Sequence, residues 1–313
     1  MLPLVLTDAE LPPPLLALIA NKCRVELWVG ASTPPALLTQ AEGLLTYGHP
    51  FIGGPQMDLL PRLRIISNFG VGVDHLDVPA AQLRKISVGN TPGFVDNATA
   101  DMTMALILSI ARNIVIGDRY ARSPEFTSFN PSILHGQDVT GKTLGIVGMG
   151  AIGKKVAKRA AGFDMRILYH NRKPDPSAQA LAAAYVSLEV LLAESDFVAL
   201  NVPLTSETRA MISHEQLRQM KPTACLINVA RGAVVDHDAL HLALAKTWIA
   251  GAALDVTEPE PLPRDHPLLQ HQNLIIVPHL GSATREARQG MYQRTAENLL
   301  AGLSGESLPS RVA

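Results

Sequence analysis

An α/β architecture built on buried parallel sheets is what this 313-residue sequence predicts. Short apolar runs recur along the chain with helical segments between them, the alternation that α/β layering produces. Most of those runs are continuously apolar, as strands covered on both faces are. The length, with 47% hydrophobic and 18% charged residues, allows about two domains with substantial cores.

In chain order the runs predict strands at 4–6, 27–29, 44–46, 65–68, 143–147, 166–169, 197–201, 225–228, 252–254 and 274–277. Residues 99–120 carry one long helical pattern and 283–303 a second, placed where long helices could join two lobes. No internal repeat or low-complexity tract interrupts them, and many of the prolines fall in the first ninety residues, as in "LPPP" and "TPP". The formal net charge of -1 gives no overall basic excess for nucleic acid or anionic lipid. Cys23 and Cys225 form no metal-ligand spacing and read as two buried thiols in a reducing compartment, so no metal is expected. The start "MLPLVLTDAE" lacks a signal-peptide pattern, and the apolar segment "MTMALILSIA" is shorter than the roughly 20 residues that span a bilayer. A soluble, cytoplasmic protein is expected.

The stretch "TLGIVGMGAIGKKVAKRAAGF" places a GxGxxG cluster between a predicted strand and a helix with Ile152, Val156, Ala160 and Phe163 on one face. In that context Gly148 makes the tight turn, Gly150 lets backbone approach a pyrophosphate, and Gly153 lets helix and strand pack. The helix start, at Ala151 and Ile152, offers N–H groups and a partial positive charge to phosphates. About twenty residues on, where an acid would bond a ribose 2′-hydroxyl, stands "YHNRK". His170, Asn171, Arg172 and Lys173 would not repel a 2′-phosphate; Arg172 can grip one, Asn171 can donate to it and Lys173 adds charge. NADP(H) is therefore expected over NAD(H), which binds more weakly; the alternative is a solvated basic loop.

Three segments in the C-terminal half carry polar groups where predicted strands end. They are "INVARGAVVD" with Arg231, "AALDVTEPEPLP" with Asp255, Glu258 and Glu260, and "IIVPHLGSAT" with His279. Hydride transfer to a carbonyl needs a cation to hold an anionic substrate, an acid for the developing alkoxide, and a group that orients the acid. Arg231 suits the first, His279 the second and Glu260 the third. Read singly, each residue also fits a surface cap, an ordinary ion pair or a solvated loop.

Together "GIVGMGAIG", "NVPLTSET", "LINVARGAVVD", "ALDVTEPEPLPRDHPLL", "NLIIVPHLGSAT" and, earlier, "NFGVGVDHLDV" resemble the D-isomer-specific 2-hydroxyacid dehydrogenases, most of all the glyoxylate/hydroxypyruvate reductases. The resemblance runs almost continuously from about Ala98 to Gly281. It implies two Rossmann-like lobes with parallel doubly wound sheets. The cofactor lobe, 98–280, would be inserted into a discontinuous substrate lobe, 1–97 plus 281–313. The family's catalytic set falls on Arg231, Glu260 and His279, and its substrate-carboxylate amides on Val71 and Gly72, with Arg231 and His279 also touching substrate. Thr103, Val202, Pro203, Thr208, Val229 and Ala230 would line the cofactor groove. Asp255 would meet the nicotinamide end of the cofactor, and Arg231, His279 and Gly281 would also bind it. The resemblance further implies a homodimer with the long interdomain helices in its interface, a small 2-keto acid as substrate, and a cleft that closes on ligand. In the segment "FTSFNPSILHGQ", Ile133 stands where animal hydroxypyruvate reductases carry a Trp, leaving bulkier 2-keto acids such as phenylpyruvate as an alternative. Asp101 stands where the family often has Glu. A dinucleotide-sensing, corepressor-like scaffold is the alternative of a different class.

Overall fold

The computed structural model describes residues 2–313. The chain forms two compact units, Met1–Val95 with Thr284–Ala313, and Asp96–Ala283.

The first unit holds β1 (Leu4–Thr7), β2 (Arg24–Leu27), β3 (Ala41–Thr46), β4 (Ile65–Asn68) and β5 (Ser87–Gly89), all parallel in the order 2-1-3-4-5. Successive side chains of a strand point to opposite faces. Leu4, Leu6, Leu44, Ile66 and Val88 therefore enter one core, while Val5, Leu45 and Ile65 enter the other. That second core is closed by Leu15 and Ile19 of the helix Pro13–Ile19 and by Ala296, Leu299 and Leu303 of the helix Arg285–Ser304. The latter begins where Thr284 accepts a hydrogen bond from the Ala287 N–H and stops at Gly305, whose φ of 74° ends the spiral.

The second unit holds β6 (Thr143–Val147), β7 (Arg166–His170), β8 (Ala183–Tyr185), β9 (Phe197–Leu200), β10 (Cys225–Asn228), β11 (Gly251–Leu254) and β12 (Leu274–Ile276). Their order is 12-11-10-9-6-7-8, again all parallel. The same alternation divides them. Leu144, Ile146, Ile167, Phe197 and Ile227 pack with residues of the helices Asp96–Ala111 and Ala151–Ala160. Leu168, Val198, Leu200, Leu226 and Leu254 pack with residues of Leu188–Glu194, His214–Gln219 and His237–Ala245. A strand buried on both faces has no polar position to spare, which is why these runs are continuously apolar.

Three differences from the sequence expectations share a cause. β5 and β8 were not expected, and β2 lies at Arg24–Leu27 rather than 27–29. All three are edge strands. An edge strand is covered less completely, and "RVEL" alternates charge with apolar residues instead of forming a run.

The single helix expected over 99–120 is a correction of another kind. It is two helices, Asp96–Ala111 and Ile114–Ala121, bent by 61°. Asn113 between them adopts φ 53°. The Ala111 carbonyl accepts from the Gln137 N–H at 2.8 Å, and Asn113 Nδ2 donates to the Leu134 and His135 carbonyls. The returning segment thus takes an acceptor that a continuous helix would use internally. No single described helix is long and apolar enough to cross a membrane.

Both cysteines are buried, at 2% exposure each. Burial pushes the Cys23 thiol up to about 11 and the Cys225 thiol up to about 12. Both are free thiols. The thiolate is the reactive form, so a disulfide reagent at mildly alkaline pH should label neither cysteine of the native protein rapidly, and both once guanidinium chloride unfolds it. Rapid native labelling would contradict the core assignment.

Candidate active site

In the second unit all seven strands point the same way, so their carboxyl ends share one edge. Chain order reverses between β9 and β6, the point at which open α/β sheets bind ligands.

The chain leaves β6 through Gly148, with φ 101°, where a Cβ would also lie 2.8 Å from the Asn201 backbone. A Cβ on Gly153 would lie 2.2 Å from the Gly148 carbonyl oxygen, so the helix Ala151–Ala160 is drawn tight against the turn. A Cβ on Gly150 would meet nothing within 4 Å. No side chain caps this helix, which leaves the first N–H groups, those of Ala151 and Ile152, to an anion. A closed turn with an open approach at its middle glycine fits a dinucleotide pyrophosphate.

The end of β7 braces the same turn. The Gly148 N–H donates to the His170 carbonyl at 2.9 Å, and the Met149 N–H to Asn171 Oδ1 at 2.7 Å. His170 sets its Nδ1 3.0 Å from the Val186 carbonyl and stacks on Tyr185. Its ring is engaged with the β8 side of the sheet. Arg172 and Lys173 are exposed. The hydrogen bond from Thr205, more than the nearby Arg172 charge, holds the Glu207 carboxyl below the usual range.

After β9, Thr208 Oγ1 donates to the Pro203 carbonyl at 2.6 Å and accepts from the Thr205 N–H at 2.8 Å, closing the turn that follows Val202. Thr103 is fully buried and donates to the Thr99 carbonyl at 2.8 Å, so its hydroxyl is spent within its own helix.

At the end of β10 the fully buried Asn228 accepts from the Ala230 N–H at 3.0 Å and donates to the Arg231 carbonyl at 2.9 Å. One amide thereby folds the turn Val229–Arg231. Arg231 Nη1 donates to the Ala230 carbonyl at 2.9 Å. A Cβ on the next residue, Gly232, would fall 2.0 Å from the Thr257 carbonyl carbon. The loop bearing Glu260 is therefore pressed against the turn bearing Arg231. Within it the Glu258–Pro259 and Glu260–Pro261 peptides are cis.

Beyond β11, Asp255 is 2% exposed and accepts from the Leu280 N–H at 2.6 Å and the Gly281 N–H at 2.8 Å. The His279 N–H donates to the Asp255 carbonyl at 2.9 Å. Burial is the largest influence on the Asp255 carboxyl and raises it, against the pull of those two amides and the His279 charge. Thr99 Oγ1 closes the far side by donating to the Gly281 carbonyl at 3.2 Å. His279 itself has φ 55°.

His279 Nδ1 lies 2.8 Å from Glu260 Oε1, with the two side chains 41% and 40% exposed. Burial alone would raise the Glu260 carboxyl. The His279 hydrogen bond and charge, the Thr257 N–H and the Arg231 charge outweigh it and hold the group below the ordinary glutamate value. The structure thus brings together imidazole, carboxylate and the charge of the guanidinium in one unit.

Val71 and Gly72 lie in the first unit, just past β4. Asn68 Nδ2 donates to the Gly70 and Gly72 carbonyls, each at 3.0 Å, and Asn90 Nδ2 to the Val71 carbonyl at 2.8 Å. With its carbonyls taken, the turn has the Val71 and Gly72 N–H groups to offer. Sequence reasoning missed Asn68, Asn90, Asn228 and Gly232. The one signal for the first and third was an Asn closing an apolar run, in "IISN" and "CLIN".

The model of the D-isomer specific 2-hydroxyacid dehydrogenase NAD binding domain matches residues 104–281. A glyoxylate reductase of Korarchaeum cryptofilum is 44% identical over 320 residues, covering 100% of this chain and 96% of that protein. One of Thermococcus litoralis is 42% identical over 322 residues, covering 100% and 97%. Among solved structures, the NADPH-dependent glyoxylate/hydroxypyruvate reductase of Sinorhizobium meliloti, in complex with NADP and malonate, superposes with a TM-score of 0.92 at 30% identity, covering 100% of this chain and 97% of that one. A protein of Thermus thermophilus gives a TM-score of 0.90 at 44% identity, covering 99% and 100%. Two parallel α/β sheets, a glycine turn that fits a dinucleotide pyrophosphate and full-length similarity at this level place the chain in the D-isomer specific 2-hydroxyacid dehydrogenase family of oxidoreductases.

Proposed function

We propose that this chain reduces a small 2-keto acid, glyoxylate or hydroxypyruvate, to the D-2-hydroxy acid, with NADPH preferred to NADH. The observation that carries the reading is the 2.8 Å bond between His279 Nδ1 and Glu260, on a loop pressed against the Arg231 turn. The names of the relatives, glyoxylate reductases, support the substrate class.

The nicotinamide, when bound, supplies a hydride to the keto carbon. Arg231 holds the substrate carboxylate and polarises the carbonyl, as a guanidinium fork can do with both oxygens. His279, with Nδ1 committed to Glu260, holds the transferable proton at Nε2 and delivers it to the developing alkoxide. Glu260 remains ionised near neutrality because its carboxyl is held low, so it acts as an acceptor for Nδ1 and orients the ring. Asp255 fixes the backbone beneath the ring. In the first unit, the Val71 and Gly72 N–H groups form a turn suited to an anion such as a carboxylate.

The NADPH preference rests on the end of β7. Arg172 and Lys173 are exposed there. The next acid, Asp175, is engaged by Lys154 at 2.7 Å and by Ser177, which hold its carboxyl down to about 2. Initial rates of cofactor oxidation over glyoxylate, hydroxypyruvate and phenylpyruvate should be highest with NADPH and one of the first two. A clear preference for NADH would reject the cofactor assignment, and a preference for phenylpyruvate the substrate assignment.

His279→Ala should lower kcat by roughly 10²–10⁴, the range for losing a general acid. Arg231→Ala should raise the KM for the keto acid as well. Near-full activity of the first, or an unchanged KM in the second, would remove that residue from its role. Asn68→Ala frees the Gly70 and Gly72 carbonyls, so the amides of the turn lose their fixed direction. About a tenfold rise in KM for the keto acid is expected, near the loss of one net hydrogen bond, with the dissociation constant of NADPH unchanged. Titration of the variant with NADPH, beside its steady-state kinetics, checks both.

A further inference from the structure

His237 opens the helix His237–Ala245 and is 8% exposed. Its Nδ1 lies 2.9 Å from the Glu258 carbonyl oxygen. A carbonyl only accepts, so Nδ1 carries the proton in this contact. Its Nε2 is buried and meets no hydrogen-bond partner among the described residues. An apolar side chain of similar size would fill the space without orphaning a nitrogen, and orphaned buried polar atoms are destabilising. What the imidazole supplies and a hydrocarbon would not is the donor to Glu258.

The accepting carbonyl lies two residues ahead of Glu260. Glu258, Pro259 and Glu260 are exposed, while Thr257 is buried against Gly232 and donates its Oγ1 to the Pro259 carbonyl at 2.9 Å. The loop is thus fixed at its start, and beyond Thr257 the His237 bond supplies an anchor from a neighbouring helix.

We propose that His237 is a positioning residue for the proton-delivering pair: by holding the Glu258 carbonyl, its Nδ1–H fixes the loop that presents Glu260 to His279. The kinetic half of this inference rests on the proposed reaction; the structural half does not. His237 acts only through Glu258. The groups facing it are His266, whose ring meets it edge-on at 6.2 Å, Glu258 from the loop and Asp236 from its own cap. Burial, joined by the His266 charge, keeps His237 below the ordinary histidine value against the Glu258 contacts. The neutral donor is therefore its resting form near neutrality.

Two substitutions separate the donor from the packing. His237→Asn puts an amide nitrogen near the Nδ1 position and leaves part of the ring's space empty. His237→Leu fills space and donates nothing. The readouts are kcat and KM for the 2-keto acid with NADPH, thermal midpoint, and deuterium exchange of the backbone amides of residues 256–262. His237→Leu should lower kcat about tenfold, the scale of a small misplacement of a catalytic group, and speed exchange in that loop. His237→Asn should keep kcat and exchange near those of the unaltered protein even though its thermal midpoint falls. Equal kcat and equal loop exchange in the two variants, or a kcat that merely follows the thermal midpoint in both, would overturn the proposal. If the unaltered protein turns over no 2-keto acid, the functional reading fails, and the exchange comparison still decides whether His237 holds the loop.

Discussion

A buried carboxylate that accepts two backbone N–H groups holds the turn on which His279 sits. An ionised carboxyl at 2% exposure is unfavourable unless its lone pairs are used, and both Asp255 oxygens are used, on Leu280 and Gly281. The return bond from the His279 N–H to the Asp255 carbonyl completes the ring of contacts. His279 needs that support. Its φ of 55° lies where a residue with a Cβ carries a cost, and such conformations persist when the surroundings over-determine them. Gly281 belongs to the same device, since a Cβ there would come within 2.8 Å of Asp255 Oδ2. The direction of the imidazole is thus set by main chain, strand end and buried acid before Glu260 touches it.

The other two turns use an amide where this one uses an acid, and hydrogen-bond bookkeeping explains the choice. Asp255 faces only N–H donors, so a pure acceptor satisfies the site. Asn68 must accept from Thr46 Oγ1 at 2.7 Å and donate to two carbonyls. Asn228 must accept from the Ala230 N–H and donate to the Arg231 carbonyl. Only a side chain with both a donor and an acceptor can do this, and an ionised Asp would leave carbonyls unpaired beside a negative charge. In each case a fully buried side chain at a strand terminus folds the residues that follow it. A rigid sheet end becomes a rigid loop start, as preorganised recognition requires.

How much of this was legible follows from how local each signal is. The interior strands were readable because burial on both faces forces uninterrupted apolar runs; the edge strands β2, β5 and β8 were mislaid or missed because they lack that constraint. The glycine turn was readable because the steric demands at Gly148 and Gly153, with the open approach at Gly150 between them, fall within six consecutive residues. The helix break at Asn113 was not, because its cause lies some twenty residues away, in the segment that returns to bond Ala111 and Asn113. The pairing of His279 with Glu260 was anticipated from chemistry and family resemblance together. Asn68, Asn228 and His237 were invisible as such. A polar residue at the end of an apolar run is common, and only the fold shows that these three are buried and what they bond.

Two carboxylates flank the imidazole's turn, and their surroundings push them apart. Burial raises Asp255, while contact with His279 and the charge of Arg231 help bring Glu260 below its ordinary value despite partial burial. The division assigns the tautomer. Ionised Glu260 can only accept, so the neutral ring keeps its proton on Nδ1 and its lone pair on Nε2. When the ring is charged, the proton it can surrender is then the one on Nε2. In the proposed reaction that nitrogen gives the proton in reduction and takes it back in oxidation, with no rotation of the ring. That economy depends on Oε1 staying within reach of Nδ1, and hence on every contact that fixes the 257–260 loop: Gly232 at its start, the Thr257 hydroxyl within it, and the donor that His237 contributes from outside.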